Sequence, residues 1–358
     1  MARYTMRLTH TTSVQPMSAQ LDSIRQDIMR RAQGALSLDI AYIGIANGLL
    51  AALAEHGSAS ARQLARLTEM DAGYVQRWCD AAYAFELLEE SAPDEFRLAP
   101  LGRAFLPDTP GTAMPFAVQA VLSAHMAERA AGLMRTGERP GERTLAERET
   151  ILPWFGPMLE HQFGPLLEKQ VIDAVPVFDA VNARGGLAVD LGCGNGWYLR
   201  ALACHCPNLR GIGLDGFEEN IKQAGALAEQ QGLNDRLHFA VGDIYHFHIE
   251  EPVDLIAMNR SLHHVWDQKE NVFRILREHL SPGGAAVIWE PNWPASRADL
   301  RSPSRRGMAF QNLSEHVQGN HFLRPDDIAE QFVSVGLEPS VHFVADGRDV
   351  VVTGTLAA

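Results

Sequence analysis

Between Leu21 and His56 apolar residues recur at helical spacing, and from Ile40 to Ala54 they cover nearly the whole circumference. An all-round apolar stretch predicts a helix buried both in its own core and against a second copy of the chain. Gly57 is a natural stop. Ser60 then opens a short helix carrying Leu64 and Leu67, a turn follows at Asp71 to Gly73, and a second helix carries Val75, Trp78, Ala82 and Phe85. Leu87 to Leu98, broken at Ala92-Pro93-Asp94, predicts a hairpin. The helical pattern resumes from Gly102 to Gly141, passes a loop rich in Gly, Pro and Arg at Thr136 to Arg143, and returns from Leu145 to Val181.

The period changes at Gly186. Leu187 to Leu191 is a buried-strand pattern, followed by strands at Gly211 to Leu214, Leu237 to Val241, Val253 to Met258 and Gly284 to Glu290. Helical patterns at Glu218 to Gln231 and Gln268 to Leu280 lie between them. This alternation specifies an α/β domain with a parallel sheet covered on both faces, and a binding crevice at the carboxyl ends of its strands. The chain thus divides into a mobile leader (1–18), a helical winged-helix-like dimerisation domain (19–110), a helical linker and substrate cap (111–185) and a Rossmann-like domain (186–358).

At 46% hydrophobic and 21% charged residues, composition is that of a packed globular protein. No apolar run approaches the roughly 20 residues of a bilayer span, and no signal-like stretch follows Arg3 and Arg7, so the expectation is a cytoplasmic protein without a membrane partner. Four cysteines without CxxC spacing argue against a disulfide framework. A net charge of −13 disfavours nucleic acid, and the second helix of the helix-turn-helix offers Arg77 only against Asp80, so a DNA-binding regulator is the remote alternative. A small molecule is the expected partner.

The glycine-rich turn Gly192-Cys193-Gly194-Asn195-Gly196 after the first strand lets a ligand approach the backbone. Its GxGxG spacing, Asp215 closing the second strand to accept ribose hydroxyls, and Gly242-Asp243 closing the third together mark a nucleoside-cofactor site. With VDLGCGNG (189–196), GLD (213–215), GD (242–243), LHH (262–264) and LSPGG (280–284), the stretch from Gly186 onward resembles the class I S-adenosylmethionine-dependent methyltransferases. The helical N-terminal half makes the whole chain similar to dimeric small-molecule enzymes that share their fold with plant O-methyltransferases. The resemblance implies a mostly parallel seven-stranded sheet and a homodimer formed through the N-terminal domain. It also implies cofactor contacts from Asp190, Gly192, Gly194, Gly196, Asp215, Gly242, Asp243, Ile244 and Asn259.

Two histidines, His263 and His264, follow the fourth strand, and His316 and His321 lie in the later insertion. Gly319-Asn320 is a helix stop, so a reversing chain could bring His316 and His321 to one point with His264, a set suited to Zn or Fe. This arrangement resembles the metal-dependent α-keto-acid C-methyltransferases, which include phenylpyruvate and 5-guanidino-2-oxopentanoate methyltransferases. That resemblance implies His264, His316 and His321 as ligands of one transition-metal ion and Arg148 as the partner of the substrate carboxylate. The metal would stabilise an enolate whose C3 takes the methyl group, with His263 or a metal-bound hydroxide as base. The acidic balance leans toward the arginine-derived keto acid; Trp293 and Phe322 could instead line an aromatic pocket for phenylpyruvate. The alternative is a metal-free O-methyltransferase with His263 or His264 as base.

Overall fold

The computed structural model describes residues 17–141, 144 and 151–358. Contacts divide the chain into two compact units, Met1–Thr109 and Pro110–Ala358. Of the expected leader, residues 1–16 lie outside the described residues, whereas Met17 already begins the first helix. Arg148 also lies outside them.

In the first unit the helical pattern from Leu21 to His56 is two helices, Met17–Ala46 and Leu49–His56, bent by 70°. The reason is local. Asn47 caps the first helix by donating its Nδ2 to the Ile43 carbonyl at 2.9 Å, and Gly48 at φ 66° takes the left-handed backbone that redirects the chain. No single helix among the described residues is long and apolar enough to cross a membrane. Helix Ala61–Leu67 starts from a capping box in which Ser60 and Gln63 exchange hydrogen bonds, and Asp71 caps helix Ala72–Ala84 through the Tyr74 N–H. Strands β1 (Ala59–Ser60), β2 (Leu88–Ala92) and β3 (Glu95–Leu98) form a small antiparallel sheet with β3 central. Leu50, Leu53, Leu64, Cys79 and Leu87 close the core.

The second unit contains both the segment expected as a linker and the α/β domain. Its sheet comprises β4 (Leu187–Leu191), β5 (Arg210–Asp215), β6 (Leu237–Val241), β7 (Val253–Asn259), β8 (Leu280–Pro291), β9 (Glu338–Val344) and β10 (Asp349–Thr355). They are ordered β6-β5-β4-β7-β8-β10-β9. The first five run parallel, and β10 inserts antiparallel between β8 and β9. The sheet is therefore mixed α/β and mostly parallel, as expected. Strand β4 is buried along its whole length, the mark of a central strand covered on both faces. One face packs on Phe163, Leu167, Phe178 and Tyr198; the other packs on Phe273, Leu276, Ile328 and Phe332. Chain order reverses at β4, whose neighbours are β5 on one side and β7 on the other, and such a switch opens a crevice at the carboxyl ends.

Candidate active site

A cavity of about 540 Å³ occupies that crevice. Its floor is the turn between β4 and helix Trp197–His205. Gly192, Gly194 and Gly196 all have left-handed backbones, at φ 81°, 54° and 74°. They differ in what a side chain would meet. A Cβ on Gly192 would lie 2.6 Å from Ser261 and one on Gly196 2.6 Å from the Phe239 ring, whereas one on Gly194 would meet none of the described residues within 4 Å. Two glycines therefore serve packing, and Gly194 leaves the backbone open. Its N–H donates to Asp215 Oδ2 at 2.9 Å, while Asp215 Oδ1 accepts from the Phe217 N–H and Asn220 Nδ2.

Of the residues expected at the cofactor, Gly192, Gly194, Asp215, Gly242, Asp243, Ile244 and Asn259 line the cavity; Asp190 and Gly196 do not. Asp190 stands behind the wall, 1% exposed, accepting from Asn259 Nδ2 at 2.9 Å. Burial pushes its pKa up to about 7, against the Asn259 hydrogen bond and with help from the Asp215 charge. Asp190 thus holds the Asn259 amide in place. Asp243 accepts from the Tyr245 N–H, which holds its carboxyl below the ordinary range despite partial desolvation; His246 adds a second contact.

At the end of β7, Arg260 adopts a left-handed backbone at φ 55°, a strained conformation for a residue with a side chain. Its guanidinium is anchored by an ion pair with Asp349 and lies 3.8 Å over the Phe163 ring. The following 3₁₀ turn, Leu262–Gln268, brings His263 and His264 onto the wall with ring centroids 4.2 Å apart. His263 is 4% exposed. Its Nδ1 lies 2.7 Å from Glu290 Oε2, and its Nε2 lies 3.6 Å from Glu315 Oε2. Burial draws the imidazole pKa down, but the Glu290 charge and hydrogen bond, then Glu315, more than reverse this and raise it to about 10. Burial likewise opposes the charge on Glu315, yet His263 and then His264 hold its carboxyl below the ordinary range.

The expected metal set is not assembled. His316 and His321 are exposed and absent from the cavity wall. Helix Arg306–Gln318 does stop at Gly319, at φ 93°, as the sequence predicts. However, its register turns Glu315 inward and His316 outward. The returning chain then brings Asn320 to His264, Nδ2 to Nδ1 at 2.8 Å, in place of His321. A different trio, His263, His264 and Glu315, has donor atoms within 4.8 Å of one another. Glu290 and Glu315, which close on His263, carry no expectation from the sequence; a carboxylate ending a strand and one adjoining His316 were the available signals. Phe322 lines the cavity with Leu122, Met126, Phe155, Met158 and Phe163, whereas Trp293 only packs against Phe322. Among the described lining residues the carboxylates are Asp215, Asp243 and Glu315, the last paired with His263.

Residues 188–284 match the family described as "Methyltransferase domain". Trans-aconitate 2-methyltransferase of Deinococcus radiodurans is 37% identical over 103 residues, 29% of this chain and 37% of that protein. O-methyltransferase SfmM3 of Streptomyces lavendulae is 29% identical over 254 residues, 66% of this chain and 70% of that one. The chain thus spans little more than a third of the first relative and over two thirds of the second. An O-methyltransferase family protein from Burkholderia thailandensis superposes with a TM-score of 0.66 at 18% identity, covering 95% of this chain and 98% of that one. Human N-acetylserotonin methyltransferase, solved in complex with S-adenosylmethionine, gives 0.65 at 18%, covering 97% and 99%. Fold, glycine turn and family match mark the stretch 188–284 as a methyltransferase domain of the class I, S-adenosylmethionine-dependent kind.

The residues present fit that cofactor. Asn195 Oδ1 and Asn259 Oδ1, both on lining residues, are buried acceptors without a partner among the described residues, and the ammonium and hydroxyl groups of S-adenosylmethionine are donors. Gly194 and Asp215 supply the open backbone and the carboxylate beside them.

Proposed function

We propose that the chain transfers a methyl group from S-adenosylmethionine to a hydroxyl of a small organic acceptor, with His263 as general base. One observation carries this reading: a cavity-lining imidazole is held between two carboxylates, Glu290 on Nδ1 and Glu315 beside Nε2. Glu290 fixes the ring and its tautomer, leaving Nε2 as the working nitrogen. At 3.6 Å the Glu315 contact is longer than a hydrogen bond, so Nε2 keeps a place for an acceptor hydroxyl. The proton moves from that hydroxyl to Nε2, and both carboxylates stabilise the imidazolium. Bound S-adenosylmethionine supplies the electrophilic methyl group, and the glycine turn and Asp215 orient it. Apolar Leu122, Met126, Phe155 and Phe163 exclude water and suit an aromatic or other flat acceptor. The similarity to O-methyltransferase SfmM3 points the same way. Release of S-adenosylhomocysteine with an O–CH3 product tests the reading; a methyl bonded to carbon would overturn it.

A second reading, C3 methylation of a metal-chelated α-keto acid such as 5-guanidino-2-oxopentanoate, keeps one supporting observation. His263, His264 and Glu315 form a two-histidine, one-carboxylate group of the kind that holds Zn or Fe. In that reading these residues, rather than His316 and His321, would hold an ion able to polarise the keto acid. The proposal also includes pairing of two copies through the first unit, whose first helix leaves Leu21, Ile24 and Ile28 exposed at helical spacing.

A further inference from the structure

Gln318, the last residue of helix Arg306–Gln318, lines the cavity and is only 8% exposed. Its Nε2 donates to Glu315 Oε2 at 3.1 Å. A carboxylate oxygen only accepts, so this contact assigns the amide orientation and turns the Gln318 carbonyl away from Glu315. That carbonyl oxygen, Oε1, is buried and has no hydrogen-bond partner among the described residues. An amide acceptor removed from water and left unpaired is disfavoured, and this side chain borders the cavity.

The same Glu315 oxygen lies 3.6 Å from Nε2 of His263. His263 and the Gln318 amide thus approach the same carboxylate oxygen, so a single small acceptor in the cavity can meet both side chains. We propose that Gln318 is a specificity-determining residue: its Oε1 accepts a hydrogen bond from an O–H or N–H carried by the acceptor beside the hydroxyl that is methylated. The inference rests on the hydroxyl-methylation reading and narrows it to acceptors with a vicinal donor, such as 1,2-diols on an aromatic ring or 2-amino phenols. An acceptor lacking the donor leaves Oε1 unpaired in a filled, dry site, and sites built to pair a substrate group discriminate strongly against analogues without it.

The test measures kcat/KM for methyl transfer by the full chain to catechol and 2-aminophenol, which carry the donor, and to phenol and 2-methoxyphenol, which do not. The expected result is a preference of about tenfold or more for the first pair, the order of a single paired amide acceptor. In Gln318→Leu the preference falls to within about twofold of none while S-adenosylhomocysteine affinity is unchanged. Equal turnover of both pairs by the wild type, which requires no variant, or a preference that survives in Gln318→Leu, overturns the assignment of Gln318. Absence of O-methylation of all four acceptors overturns the hydroxyl-methylation reading itself, and this inference with it.

Discussion

His263 and Glu290 form a closed pair: Nδ1 and Oε2 are 2.7 Å apart, the imidazole is 4% exposed and the carboxylate not at all. The histidine comes from the turn after β7 and the glutamate from the end of β8, so the register of two parallel strands sets the contact. An imidazole held in this way has little orientational freedom left to lose.

Replacing His263 with Asn should lower kcat by about 10²- to 10⁴-fold, the usual contribution of a general base. S-adenosylhomocysteine affinity should hardly change. Calorimetric titration beside steady-state kinetics checks both, and a comparable loss in each would remove His263 from proton transfer.

Activity should rise with pH. The imidazole pKa is raised to about 10, so the neutral form able to accept a proton grows about tenfold per pH unit below that value. A kcat/KM profile flat from about pH 7 to 9 would assign the base elsewhere. Stability should move oppositely. Because the folded pKa exceeds the ordinary 6.5, the stabilisation from His263 is complete below about 6.5 and lost as pH rises through about 10. The alkaline fall in unfolding midpoint should therefore be smaller in His263→Asn.

Asp215→Ala should weaken S-adenosylhomocysteine binding by about 10- to 100-fold, as expected for loss of hydrogen bonds to a charged group. Since Asp215 also holds the Gly194 and Phe217 N–H groups, Asp215→Asn distinguishes loss of charge from loss of the turn. Unchanged affinity in both variants would place the ribose elsewhere.

The glycines should separate by mechanism. Gly196→Ala meets the Phe239 ring at 2.6 Å as well as a left-handed backbone and should destabilise by about 2 to 5 kcal/mol. Gly194→Ala meets open space and should cost only the backbone strain, about 1 to 2 kcal/mol, yet reduce cofactor affinity. Chemical denaturation and ligand titration on the two variants compare stability with binding directly.

Methyl transfer should survive EDTA, with no stoichiometric Zn or Fe by elemental analysis. About one ion per chain, lost in His264→Ala, would instead support the keto-acid reading on His263, His264 and Glu315.

Much of the cofactor half of the site was legible in the chain itself. Val189 to Gly196, Asp215 and Gly242-Asp243 are local signals: a buried strand, a turn needing left-handed backbone and acids closing strands each follow from short-range chemistry. The helix stop at Gly319 was equally local. The acceptor half was not, because a helix rotates about 100° per residue. Only packing of helix Arg306–Gln318 decides that Glu315 faces His263 while His316 faces solvent. Strands β9 and β10 are not legible locally: only Val350 to Val352 of β10 is apolar, and its place between β8 and β9 depends on distant partners. Sequence determined the five parallel strands, the glycine turn and the acids beside it; tertiary structure alone decided which two carboxylates close on His263. Those contacts join residues 27 and 52 positions apart, beyond the reach of any local pattern.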